Sequence, residues 1–262
     1  MRIRLFVFVL LASCVLDRSA WAQGAGETVP GEDFRVEFAV ARWRPSPDLT
    51  IQTGALARAG IDEFDFADEF GFREKFFSDF RIVLKPARKH RFRVGYVGMH
   101  YEESSALQHT INFGGRTFTG VAAADVRWSV WRFGYQWDVV ARERGSVGVV
   151  GEVKYNRVRA SVRSVGRGEL AETDAAVPTL GASARAYVHR NVAIIGEFTA
   201  FKLSASDFDG TWFDLDISAT ASLSRSFGVQ GGYRVLTPDY LAKNDRGDLK
   251  MKGPYFALVS RF

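Results

Sequence analysis

From Phe213 to Ser224 the chain alternates without a break. Phe213, Leu215, Ile217, Ala219, Ala221 and Leu223 stand at one parity, and Asp214, Asp216, Ser218, Thr220, Ser222 and Ser224 at the other. Wound into a helix of 3.6 residues per turn, these apolar side chains would point in every direction. Only an extended strand gathers them on one face. This period of two constrains the fold more than any other feature, because it recurs along the whole chain.

Trp131, Phe133, Tyr135, Trp137 and Val139 alternate with Arg132, Gly134, Gln136 and Asp138. Val147, Val149, Gly151, Val153 and Tyr155 stand opposite Glu152 and Lys154, and Phe38 and Val40 flank Ala39 beside Arg35 and Glu37. The pattern predicts ten strands, near 34–44, 72–85, 90–102, 126–141, 146–162, 175–188, 192–206, 211–224, 227–238 and 252–262. Most reach the roughly 9–11 residues that a tilted strand needs to cross a bilayer. Short basic turns near 86–89, 142–145, 189–191 and 225–226 alternate with longer polar stretches near 45–71, 103–125, 163–174 and 239–251. Short turns at one rim and long connections at the other suit a transmembrane barrel. The expectation is an all-β fold, one closed antiparallel transmembrane β-barrel of about ten strands, with eight or twelve as the alternatives.

The first 22 residues read as a secretory signal peptide. Arg2 and Arg4 precede an apolar run from Leu5 to Leu16, and Ala20-Trp21-Ala22 offers a small-x-small cleavage site. Residues 23–262 then form the barrel domain. Leu11-Ala12-Ser13-Cys14 also matches a lipobox, so lipidation at Cys14 is kept as a minor alternative. Cys14 is the only cysteine, so a chain cut after Ala22 has no disulfide and no thiolate chemistry. Removing this segment, which carries three Arg and one Asp, takes the formal charge from +5 to +3. That excess does not point to nucleic acid.

A soluble β-sandwich would also alternate, so the direction of the faces must be argued. In soluble sheets the polar face meets water. Here the polar face carries opposite charges at mid-strand: Arg35, Glu37, Asp79, Arg81, Arg91, Arg93, Arg132, Glu152, Lys154, Arg185, Glu197, Asp214, Asp216 and Arg234. Enclosed together they neutralise one another, whereas an Arg at the bilayer midplane costs about 2–4 kcal/mol. The apolar face is therefore expected toward lipid and these fourteen charges in the lumen. Trp43, Trp128, Trp137, Tyr155 and Tyr233 lie near strand ends, where interfacial girdles are built.

The last strand, Gly253-Pro254-Tyr255-Phe256-Ala257-Leu258-Val259-Ser260-Arg261-Phe262, ends in Phe with Leu258 and Phe256 at alternate positions. It resembles the C-terminal assembly signal of small Gram-negative outer-membrane β-barrel proteins, the OmpA-, OmpW- and porin-like superfamily. Gly253, Phe256, Leu258 and Phe262 carry the resemblance, and Ser260 departs from its usual apolar residue. The resemblance implies the outer membrane as the location, outer-membrane lipid as surroundings and the barrel-assembly machinery as partner in biogenesis. It implies place more than task.

Ten-stranded barrels include the omptin proteases, which use an Asp-x-His pair at the extracellular rim. Asp207, Asp209 and Asp214 begin no such pair, and the histidines are His90, His100, His109 and His189. A lipid A deacylase needs His, Ser and an acid on the outer wall. The segment from His100 to Ser105 supplies the residue types without a His-x-Ser spacing. Asp62, Glu63, Asp65, Asp68 and Glu69 lack the spacing of a calcium loop and read as a solvated acidic stretch. Arg116, Arg163, Arg167, Lys243, Arg246, Lys250 and Lys252 are placed on the outer rim, where lipopolysaccharide phosphates could pair with them. Barrels of eight strands are just filled by side chains, and open channels belong to much larger ones. The leading expectation is a monomeric structural or envelope-interaction protein with a charged, largely occluded lumen, no cofactor and no catalytic site. A narrow pore or small-solute transporter is the alternative, and an outer-membrane hydrolase acting on lipid A ranks third.

Overall fold

The computed structural model describes residues 32–52, 64–107, 110–113, 116–205, 208–242 and 245–262. The first 22 residues, read as a signal peptide, and Cys14 with them lie outside the described residues. In chain order the elements are β1 (Val36–Trp43), β2 (Ser46–Gln52), β3 (Phe64–Asp65), α1 (Phe66–Phe70), β4 (Phe77–Ala87), β5 (His90–Ala106), β6 (Ile111–Phe113) and β7 (Arg116–Phe118). They continue as β8 (Val121–Arg142), β9 (Gly145–Ser164), β10 (Arg167–His189), β11 (Val192–Ala205), β12 (Phe208–Ser222), β13 (Phe227–Ala242) and β14 (Asp245–Arg261).

Ten of these strands close a ring. The order is β1-β4-β5-β8-β9-β10-β11-β12-β13-β14, and β1 pairs antiparallel with β14 to seal it. At the level of β1 this closure leaves the wall without an edge and satisfies the backbone groups between strands. β14 is long enough to pair twice, with β1 along 255–261 and with β2 along 246–252. β1 and β2 thus act as one stave interrupted at Arg44-Pro45, where proline has no N–H to offer the ladder. Gly253 passes under this break. A Cβ there would lie 2.0 Å from the Arg44 carbonyl oxygen, while the Trp43 indole N–H donates to the Gly253 carbonyl at 3.2 Å.

The tight turns sit at 88–89, 143–144 and 190–191 on the rim that also holds Phe262. The opposite rim differs from the sequence expectation. Most of the stretches read as long loops are strand: β9 and β10 run on to a two-residue turn at Val165-Gly166, with Gly166 at φ 72°. The cause is pairing that the alternation count overlooked, with Arg157 on Asp174 and Arg159 on Glu172 across the hairpin. Residues 103–125 likewise hold the end of β5, the β6–β7 hairpin and the start of β8.

The strands change polarity partway up. On β8 the outward residues Trp131, Phe133, Tyr135, Trp137 and Val139 are exposed, while inward Gln136 and Asp138 are buried. Above Trp131 the assignment inverts: Ala122, Ala124, Trp128 and Val130 are buried inside, and Arg127 is exposed outside. The outward apolar run spans Trp131–Val139 on β8 and Phe213–Leu223 along β12 and its turn. At about 3.3 Å per residue and a tilt of about 40°, such runs form a belt roughly 20–25 Å tall, the height of an outer-membrane hydrocarbon layer. Above the belt the barrel is built as a water-facing one. Its core joins Trp43, Phe70 of α1, Phe72, Phe77, Met99, Tyr101, Ile111, Phe118, Trp128, Trp212, Leu236 and Met251.

Trp43 and Trp128 therefore do not belong to a lipid-facing girdle; they are 1% and 4% exposed and point inward. Trp137 and Tyr233 do face outward. Parity alone cannot separate the two cases, because the outer medium changes from lipid to water along the same strand.

Candidate functional site

Below the apolar plug the inward parity is ionic. Asp214 on β12 accepts from Lys154 Nζ at 2.5 Å and from Arg234 Nε and Nη2 at 2.9 and 2.7 Å. Arg234 also donates to Asp79 at 3.0 Å, and Arg132 reaches the other Asp79 oxygen at 2.5 Å. Arg93 crosses from β5 to β11 and grips Glu197 through two bonds of 2.7 and 2.6 Å, with Glu152 at 3.5 Å. Glu37 accepts from Arg261, and Arg81 donates to Gln230. The Tyr255 hydroxyl donates to Asp216 at 2.8 Å. Several of these bonds join distant staves of the ring, as Arg93 with Glu197, Lys154 with Asp214, and Arg132 and Arg234 with Asp79, so these charges are compensated across the lumen. Such compensation is what makes buried ions tolerable.

The turn-side end is stoppered from the N-terminal side. Glu32, ahead of β1, accepts from Lys85 at 2.8 Å, Arg91 at 3.0 Å, Arg185 at 3.0 Å and Tyr187 at 3.3 Å. Burial alone would raise its pKa, but Arg185, Arg91 and Lys85 outweigh it and hold the carboxyl well below the usual range. Phe34 packs beside it, with the Lys85 ammonium 5.0 Å and the Arg261 guanidinium 5.8 Å from its ring centre.

Two tryptophans mark the boundary with the plug. Arg234 lies 5.5 Å from the Trp43 ring centre and Lys154 5.7 Å from that of Trp212. Cavities of about 60 and about 30 Å³ remain in the ionic layer. They suit a handful of waters. The buried Nε atoms of Arg81 and Arg132 have no partner among the described residues and border these spaces, where water would satisfy them.

The structure brings thirteen of the fourteen expected lumen charges together: Glu37, Asp79, Arg81, Arg91, Arg93, Arg132, Glu152, Lys154, Arg185, Glu197, Asp214, Asp216 and Arg234 line the interior. Arg35 does not. It is exposed, because the chain bends ahead of β1 and turns Phe34 inward instead. Glu32, Lys85, Asp138 and Arg261 were missed. Lys85, Asp138 and Arg261 stand at inward parity and could have been found that way, whereas Glu32 precedes any alternation. Asp214, weighed above as a rim acid, is buried in the lumen; Asp207 and the side chain of Asp209 lie outside the described residues. In the first acidic stretch Asp68 and Glu69 fall on α1, with Asp62, Glu63 and the Asp65 side chain outside the described residues. Of the basic rim residues, Arg116, Arg163, Arg167, Lys250 and Lys252 are exposed, Arg116 being paired with Glu169. Phe256, Leu258 and Phe262 face outward in the belt, and Gly253 serves the close approach to Arg44.

On the outer wall, just above the aromatic row of Tyr96 and Trp131, stands a separate polar group. His100 Nε2 lies 3.3 Å from Asp125 and 3.9 Å from Glu102, and Arg127 contacts both oxygens of Asp125 at 3.2 and 3.1 Å.

A closed, ten-stranded antiparallel ring with short turns on one rim defines an outer-membrane type of β-barrel. One solved structure shares this fold: the outer membrane protease OmpT from Escherichia coli superposes with a TM-score of 0.57 at 9% identity, covering 88% of this chain and 97% of that one. The translocator domain of the autotransporter NalP from Neisseria meningitidis gives 0.47 at 10% identity over 88% and 90% of the two chains. The attachment invasion locus protein Ail of Yersinia pestis gives 0.38 at 10% over 85% and 99%. No protein-family model and no curated protein matches the sequence.

Proposed function

We propose that the chain is an integral outer-membrane protein whose barrel is a sealed scaffold, acting through its outward and extracellular surfaces rather than through a pore. One observation carries this reading. Among the described residues, side chains obstruct the lumen at three levels: the Glu32 stopper at the turn end, the cross-bonded charges in the middle, with their small cavities, and the aromatic plug above. A conducting path would require breaking several compensated ion pairs and displacing the plug together.

The exposed cations Arg163, Arg167, Lys250 and Lys252 favour contact with lipopolysaccharide phosphates, in keeping with an envelope-interaction role. The outward row of Phe256, Leu258 and Phe262 supports recognition by the barrel-assembly machinery. The test of the sealed reading is planar-bilayer recording of the refolded mature chain in molar KCl. The expected record is silent, and uniform, voltage-stable steps from most insertions would overturn it.

A further inference from the structure

The group on the outer wall is built like a metal site. We infer that His100, Glu102 and Asp125 bind a first-row divalent cation of the zinc type. The three donors come from two paired strands. His100 and Glu102 are alternate residues of β5, so both point outward, and Asp125 is the direct cross-strand partner of Glu102 on β8. Their ligand atoms lie within 4.8 Å of one another. Zinc bonds of about 2.0–2.1 Å in a tetrahedron place ligand atoms about 3.3 Å apart. The His100–Asp125 spacing is 3.3 Å and the His100–Glu102 spacing 3.9 Å, so small side-chain rotations complete three corners. An imidazole with two carboxylates suits zinc, nickel or copper better than magnesium or calcium, which prefer oxygen alone. The fourth corner opens to solvent at the level where the belt ends.

Strand geometry supplies the rigidity that a loop cluster lacks. The backbones carrying all three donors are fixed by the ladder from His90–Trp137 up to Ala106–Val121. Arg127 is the competing partner. Its two contacts hold the Asp125 carboxylate, and a metal must draw that carboxylate away, so the site is moderate in affinity and Arg127 sets it.

The test uses the full mature chain without a histidine tag, refolded in detergent and stripped with chelator. Calorimetric titration with zinc chloride is paired with cobalt absorption spectroscopy. Expected are one saturable site per chain, binding weakened more than about tenfold in H100A, and binding strengthened several-fold in R127A. Because all these side chains lie on the outer wall, heat-modifiable migration should be retained and confirms the fold of each variant. Absence of saturable zinc binding by the wild type, unchanged binding in H100A, or weaker binding in R127A would overturn the inference.

Discussion

Asp214 carries two cations at once, and its environment decides what removing its charge costs. Asp214→Asn leaves Lys154, which is 1% exposed at the side chain, and Arg234 facing each other without their shared anion. The expected loss is about 3–5 kcal/mol, the usual penalty for breaking a buried pair from one side. Asp174 also pairs with a cation, Arg157, at 3.0 and 3.2 Å, but at 38% and 48% side-chain exposure water screens these contacts. Asp174→Asn should therefore cost far less than Asp214→Asn. Urea unfolding in mixed lipid–detergent micelles compares the two, and equal losses would show that the lumen is wetter than its hydrogen bonds imply. A steric counterpart lies at Gly253, where a methyl group would meet the Arg44 carbonyl at 2.0 Å. Gly253→Ala should lose about 1–3 kcal/mol by overpacking. Gly231→Ala, whose nearest neighbour would be 4.0 Å away, should be close to neutral in the same assay.

At the scale of the element, the inversion of polarity along β8 makes a depth-dependent prediction. Ile217→Arg, in the middle of the outward row of β12 and 54% exposed, should cost about 2–4 kcal/mol in folding from urea into lipid. Ser129→Arg, outward on β8 above Trp131, should cost at most about 1 kcal/mol, since there the wall meets headgroups and water. Similar penalties at the two positions would place the belt elsewhere on the wall. The same inversion explains what was legible in the sequence. Alternation located the staves, because a strand exposed to two media must alternate whichever way it faces. It set Lys154 and Asp214 at the parity that is buried in the structure, where the outer partners Val153 and Phe213 are plainly apolar. It misplaced Trp43 and Trp128, since period two fixes which residues share a face but not which medium that face meets. It also took 163–174 for a loop, because Arg157, Arg159, Glu172 and Asp174 leave no hydrophobic period, and their cross-strand pairing is visible only once the register is known. The His100–Asp125 contact was hidden for the same reason: 25 residues separate partners that the β5–β8 register brings side by side.

For the whole molecule, Glu32 ties the segment ahead of β1 to opposite sides of the ring, since its two oxygens are shared among β4, β5 and β10. A carboxyl held below its ordinary value stabilises the fold at neutral pH. That contribution is complete above the unfolded value of about 4.3 and is lost as pH falls from there toward the folded value. Many carboxylates titrate in the same window, so the informative quantity is the stability gap between the wild type and Glu32→Gln. At pH 7 glutamine leaves Lys85, Arg91 and Arg185 without their common anion, and the gap should be wide. Below about pH 4.3 the wild-type carboxyl begins to take up the proton that makes it resemble glutamine. The gap should then narrow by up to about 1.4 kcal/mol per pH unit, the value of one proton bound differently in the two states. Unfolding midpoints for both proteins between pH 7 and pH 2.5 give this curve. A gap that stayed constant across that range would mean that the Glu32 charge does not hold the stopper in place. Removal of the stopper need not open a pore, because the Trp43–Trp212 layer and the aromatic plug lie farther along the axis. Glu32→Gln is therefore expected to be less stable and still electrically silent, which separates the strength of the barrel from the seal of its lumen.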